Sequence, residues 1–194
     1  MAKLNSLCVY CGANEGGDPE HRSAAVRFGK MMAEQDIGLV FGGGRIGLMG
    51  VIADTIMNAG GRAIGVIPEH LHDIEVGHEG LTELHIVDSM HTRKQLMFDL
   101  SDAFVVLPGG LGTLDETFEI ITWRQLGLHD KPVILVDNNG YWQPFNQLVQ
   151  HVIDNGFARA SSADLFTIVN STDDIIPTIR AAPEQQISPK SSML

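Results

Sequence analysis

The sequence predicts an α/β fold, a mainly parallel sheet flanked by helices. Three observations lead there. Short apolar runs alternate along the chain with segments whose apolar residues recur at helical spacing. Two of those runs, 37–41 and 103–107, pass through glycine-rich turns straight into helical patterns, as parallel strands do at one sheet edge. The chain has 194 residues, 44% of them hydrophobic, which is enough for one substantial core, and no repeat or second domain is evident. A single domain over residues 1–180 is expected, with 181–194, holding Pro183, Pro189 and several Ser and Gln, as a disordered tail.

Each element follows from local pattern. Residues 4–10 are an apolar run, read as a buried first strand, and the end of the Gly- and acid-rich loop 12–19 can face a ligand. Ala24, Ala25, Phe28, Met31 and Met32 make 19–35 a packing helix, with Pro19 suited to its first turn. Residues 37–41 form the second strand, and the turn from Gly42 to Gly50 opens a helix that runs to residue 59, where Gly60 and Gly61 stop it. A third strand covers 62–68. The polar stretch 69–81 is longer than most connections within such a unit, which favours a functional lid, with Glu75 its most notable carboxylate.

Strand 83–87 precedes helix 89–100, whose Met90, Met97 and Leu100 are expected to face inward. Arg93 and Lys94 fall in its first turns, where cations oppose the helix dipole. A basic pair there, in an acidic protein, is a candidate phosphate or base contact. Strand 103–107 and helix 113–126 follow, then strand 132–137, the turn Asn138-Asn139-Gly140 and helix 145–155, ended by Gly156. Strand 165–169 and helix 173–180, capped by Ser171 or Thr172, close the pattern.

The strongest chemical signal is Pro108-Gly109-Gly110-Leu111-Gly112-Thr113-Leu114-Asp115-Glu116. Glycines let the backbone approach a ligand closely, and the unpaired amides of a helix start favour an anion, so a phosphate is the natural guest. Glu116 lies one helical turn after Thr113 and puts a carboxylate beside the same pocket. Two anions share such a pocket only if they meet different parts of the ligand, with the carboxylate reaching a sugar or a reacting carbon. This points to chemistry as well as binding. The motif lacks the Lys-Ser/Thr of a Walker loop, and Pro108 and Glu116 set it apart from the dinucleotide fingerprint. The second glycine turn serves tight packing, a second wall of the crevice, or both.

Composition narrows the partners. A formal net charge of −11 makes a nucleic-acid backbone an unsuitable partner, since phosphate binding at length needs clustered Lys and Arg. No run of 18 apolar residues and no signal-peptide segment is seen, so no membrane association and a cytoplasmic location are expected. Cys8 and Cys11 have C-x-x-C spacing, but at a strand end rather than a helix start and without two further zinc ligands, so a buried Cys8 and a Cys11 at the strand's end are expected. His70, His72, His78, His85 and His91 lack metal-site spacing and read as solvated loop residues.

Four motifs in order carry a resemblance: Gly42-Gly43-Gly44-x-x-Gly47-Leu48-Met49-Gly50, Met90-His91-x-Arg93-Lys94, Pro108-Gly109-Gly110-x-Gly112-Thr113-x-x-Glu116, and Ile121-Thr122-Trp123-x-Gln125-Leu126-Gly127-x-His129-Asp130-Lys131-Pro132. Over residues 4–157 the chain resembles the LOG family of cytokinin riboside 5′-monophosphate phosphoribohydrolases. The resemblance implies a Rossmann-like, doubly wound fold, a homodimer or higher oligomer with sites near the subunit interface, and no metal or organic cofactor. It implies hydrolysis of the N-glycosidic bond of AMP or N6-prenyl-AMP to free base and ribose 5-phosphate, the step that activates a cytokinin.

By the same resemblance Arg93 and Glu116 are the catalytic pair. Substrate contacts are expected from Gly43, Gly44, Glu75, Met90, Lys94, Gly109, Gly110, Leu111, Gly112, Thr113, Leu114, Asp115 and Thr122. Two departures are local: Cys11-Gly12-Ala13-Asn14, where a Ser often follows the glycine, and Asp115, where Glu is common. A non-catalytic nucleotide or cofactor carrier would use the same cradle but leave the pair Arg93 and Glu116 unexplained. A lysine decarboxylase, the label sometimes given to such proteins, would need a lysine to hold PLP, and only Lys94 lies by the predicted crevice.

Overall fold

The computed structural model describes residues 4–72, 77, 78 and 80–183. Glu75 lies outside the described residues, as do residues 184–194 of the tail expected to be disordered over 181–194, whereas Ala181 is the last residue of the final helix. Seven strands form one sheet: β1 (Ser6–Tyr10), β2 (Gly38–Phe41), β3 (Ala63–Pro68), β4 (Glu83–Val87), β5 (Ala103–Val106), β6 (Val133–Val136) and β7 (Thr167–Val169). Their order is β4-β3-β2-β1-β5-β6-β7, and every pairing is parallel.

The helices are α1 (Pro19–Glu34), α2 (Gly47–Asn58), α3 (Glu69–His72), α4 (Met90–Asp99), α5 (Leu111–Gln125), α6 (Gln143–Asp154) and α7 (Ile175–Ala181). Because side chains alternate along a strand, each central strand feeds two cores. Leu7, Val9, Leu39, Phe41, Val105 and Val136 pack with Phe28 and Met32 of α1, Ile52 and Ile56 of α2 and Ile176 of α7. Cys8, Tyr10, Val40, Phe104, Val106 and Leu135 pack on the other face with Met97 and Phe98 of α4, Ile120 of α5 and Phe145 of α6. The sheet is doubly wound, and the winding reverses between β1 and β5, where such a sheet opens a crevice at its carboxyl edge.

Several boundaries differ from the sequence reading. Helix α5 starts at Leu111, two residues early, because Gly110 already has the extended backbone of a helix cap. The polar stretch after β3 begins with the short α3. The last strand holds only Thr167–Val169, since 160–165 coil into a 3₁₀ turn, and Ser171 caps a second 3₁₀ turn before α7 rather than the helix itself. His78 is buried rather than solvated: its Nε2 meets Asp54 Oδ1 at 2.9 Å and its Nδ1 accepts from the Gly80 amide. It pins the chain after α3 to α2 and to Gly43, whose carbonyl accepts the His78 amide.

Candidate active site

The carboxyl ends of β1 and β5 open on a cavity of about 520 Å³, within the range of small-molecule sites. Its walls are the loop after β1 (Cys11 to Gly17), His21 of α1, Leu48 and Met49 of α2, Met90 and Arg93 of α4, Pro108 through Thr113 with Asp115 and Glu116, and Tyr141.

Helix α4 delivers Arg93. Ser89 caps the helix by accepting from the Thr92 amide, which fixes the first turn and aims the guanidinium under the sheet edge. Only 6% of Arg93 is exposed. Its Nε donates to the Val66 carbonyl at 3.1 Å, its Nη2 to the Gly42 carbonyl at 3.3 Å, and its Nη1 lies 3.8 Å from Oε1 of Glu116. The dipole penalty expected for a cation at this helix start is thus offset by two carbonyls and a carboxylate. Glu116, on the second turn of α5, is 9% exposed, so the two charges face each other where water screens them poorly.

The start of α5 has the groups that could hold an anion. Gly110 offers no side-chain cap, no acid occupies the first turn, and the first amides of a helix have no intrahelical partner. A Cβ added to Gly110 or Gly112 would meet nothing within 4 Å, so both glycines leave open space for a ligand. Gly109 is different, because a Cβ there would fall 2.1 Å from Oγ1 of Thr113. The tight turn presses Thr113 into place, and the Thr117 hydroxyl donates to its carbonyl.

Among the expected site residues, the cavity brings together Arg93, Glu116, Met90, Gly109, Gly110, Leu111, Gly112, Thr113 and Asp115. Lys94 is elsewhere, with its Nζ 2.7 Å from Asp115 Oδ2 and 3.2 Å from Glu119 Oε2, clamping α4 to α5. Burial works against the Lys94 charge, but the two carboxylates outweigh it and raise its pKa. Leu114 packs on the core, Thr122 is exposed on the outer face of α5, and Gly43 and Gly44 are buried behind the wall, where Gly44 bridges Gly77. Trp123 sits edge-on to Phe98 in the core rather than in the cavity. Cys8 and Cys11 are free and buried, and burial pushes both thiols up, away from thiolate chemistry.

His21 and Tyr141 belong to no motif singled out in the sequence, and Met49 stood there only as part of the first glycine motif, without a site role. Their signal is topological: each lies just after the carboxyl end of a parallel strand or in the helix that follows it, so each reaches the same edge.

Comparisons with known proteins place this geometry. A family model described as "possible lysine decarboxylase" matches residues 49–179. The cytokinin riboside 5′-monophosphate phosphoribohydrolase of Rhodococcoides fascians is 41% identical over 177 residues, covering 91% of this chain and 89% of the relative. That of Arabidopsis thaliana is 39% identical over 175 residues, covering 90% and 82%. The chain belongs to the LOG family. Among the described residues no lysine lines the cavity: Lys30 is exposed on α1, Lys94 is held by two carboxylates, and the Lys131 Nζ donates to the Phe98 carbonyl. Among solved structures, the molybdenum cofactor binding protein of Rippkaea orientalis superposes with a TM-score of 0.69 at 21% identity, covering 93% of this chain and 98% of that one, which is a likeness of fold. Three of the four LOG motifs meet at one place, the β1–β5 crevice and its two neighbouring helix starts, and the fourth forms the end of α5 and its return to β6.

Proposed function

We propose that this LOG-family chain hydrolyses the N-glycosidic bond of nucleoside 5′-monophosphates, AMP or N6-prenyl-AMP, to free base and ribose 5-phosphate. The observation that carries the reading is the buried pair Arg93 and Glu116 in the wall of a cavity that also holds the uncapped start of α5. A phosphate on the amides of Leu111 to Thr113 leaves Glu116, a turn further on, aimed at the ribose.

Breaking the C1′–N bond sends its electron pair to the base and builds positive charge on the sugar ring. A fixed carboxylate stabilises that charge more in the transition state than in the ground state. Water then bonds to C1′, with Glu116 orienting it and taking its proton, which passes to the departing base. Arg93 is too weak an acid to give up a proton and acts as a fixed charge that keeps the Glu116 carboxylate in line. Leu48, Met49 and Met90 give the cavity an apolar wall, and methionines adapt their shape to an N6 substituent.

The homodimer is supported by α5. Leu111, Phe118, Thr122 and Leu126 recur at helical spacing on one exposed stripe, and Leu111, 85% exposed, also lines the cavity. A second copy on this stripe would bury it and bring the expected contact Thr122 into the assembly's site region. No helix of the described residues is long and apolar enough to cross a membrane. Two unpaired cysteines suit a reducing compartment, and the cytoplasm is the location we assign.

The test is release of free base from AMP and from N6-isopentenyl-AMP, side by side for wild type and Glu116→Gln. Turnover should fall about 10²-fold or more in the variant with AMP binding near normal. No base from either nucleotide, with AMP still bound, would move the reading to a carrier.

A further inference from the structure

His21 has no role in the chemistry above, yet it is built into the cavity wall. The side chain is 7% exposed, and its Nδ1 is buried without a hydrogen-bond partner among the described residues. Its other edge faces Gly16, where an added Cβ would stand 2.9 Å from Cδ2 and 3.6 Å from Nε2. Gly16 has φ of +78°, so both its backbone and this contact keep the space beside the ring open. Tyr141 closes the other side, with its ring 5.3 Å from the imidazole and nearly perpendicular, and its hydroxyl donates to the Gly109 carbonyl at 2.6 Å. That bond ties the His21 corner to the residue just before the α5 cap.

A buried Nδ1 with no acceptor disfavours a proton there, so the N–H the ring offers is on Nε2, toward Gly16 and the cavity. The remaining charges of the wall do not favour a second anion. Glu15, Asp115 and Glu116 are acids, Arg93 is committed to Val66, Gly42 and Glu116, and Lys94 is held outside. Around the ring, Arg22 pairs with Glu15, and Asp18 accepts from the Glu20 amide and from Asn139. Beyond the α5 amides and the hydroxyl of Thr113 at that helix start, Asn14 and His21 are the N–H side chains of the wall besides Arg93, and His21 is the buried one, held in place by its packing on Tyr141.

We infer that His21 reads the 5′-phosphate, donating Nε2–H to a phosphate oxygen seated on the start of α5. This rests on the phosphoribohydrolase reading only for the identity of the ligand. The experiment measures the affinity of wild type and His21→Phe, which keeps a ring against Tyr141, for AMP, ribose 5-phosphate and adenosine by calorimetry. The variant should bind both phosphates about 10- to 100-fold more weakly, the worth of one hydrogen bond to a charged group, and adenosine as before. Equal weakening of all three, or no weakening, overturns the inference. A second readout needs no variant: the His21 ring ¹⁵N resonances of the wild type should move on adding ribose 5-phosphate and stay still with adenosine, and silence toward ribose 5-phosphate overturns it. Base release separates the two readings. A His21 response without hydrolysis of AMP sinks the reaction and keeps the phosphate contact, whereas normal hydrolysis with unaltered phosphate affinity in His21→Phe does the reverse.

Discussion

Gly42 and Arg93 are fitted to each other: a Cβ on Gly42 would stand 2.0 Å from Nη2 of Arg93, the same nitrogen that donates to the Gly42 carbonyl. The glycine at the end of β2 is therefore part of the guanidinium's seat. In Gly42→Ala the far end of the Arg93 side chain must move and lose its alignment with Glu116. We expect turnover of AMP to fall about 10²-fold while stability drops by about 2 kcal/mol or less. Steady-state kinetics beside a urea melt checks this, and full activity in the variant would show that the arginine's position is not needed.

The pair itself is costly to break. Arg93→Ala leaves Glu116 in a buried site without its guanidinium and should destabilise the fold by about 3–5 kcal/mol. Arg93→Lys should recover part of that stability but little activity, because an ammonium cannot reach Val66, Gly42 and Glu116 with one planar fork. Denaturation midpoints and kcat for the two variants, measured together, test this ordering.

Gly112→Ala should separate stability from binding. The position is helical and open, so alanine adds about 1 kcal/mol of stability. The same methyl group enters the cavity beside the α5 amides and should raise KM for AMP about tenfold. A variant that is more stable and binds AMP normally would remove the phosphate from this helix start.

Lys94→Met distinguishes a clamp from a ligand contact. The lysine is held between Asp115 and Glu119, so its loss should cost about 1 kcal/mol of stability and leave KM for AMP within about twofold. A large rise in KM would return Lys94 to the substrate.

His129 makes stability fall in acid. Burial depresses its pKa from 6.5 to about 4, while the ring donates Nε2–H to the Ile120 carbonyl and accepts the Lys131 amide at Nδ1. The folded state binds this proton less readily than the unfolded chain, so the contribution is whole above pH 6.5 and is lost as pH falls from 6.5 through about 4. About 3 kcal/mol is at stake. Urea unfolding at pH 7 and pH 4.5 should show this loss in the wild type and a smaller one in His129→Gln.

Much of the fold was legible because its signals are local. Alternating β runs and helical periods need only neighbours in the chain, and the start of α5 announces itself through Pro108, three glycines and Thr113. Misplaced edges lie where local pattern competes with caps, as at Gly110, or where 3₁₀ turns take residues that look like strand, as at 160–165. The histidine cluster misled for a different reason: polarity argued for solvent, but Asp54 on a distant helix gave His78 a buried partner.

By itself the sequence determined the α/β class and the order of elements, because both are written in residue type at fixed spacing; it also marked the glycine-rich start of α5 as a candidate anion site, while Arg93 and Glu116 were singled out as a pair by the resemblance to the LOG motifs. Tertiary structure alone decided which groups share the cavity. Lys94 follows Arg93 directly in the chain, yet successive side chains on a helix point about 100° apart, so one enters the site and the other pairs with α5. His21 and Tyr141 are 120 positions apart in sequence and meet because parallel strands deliver every carboxyl end to one edge, a relation no local spacing encodes.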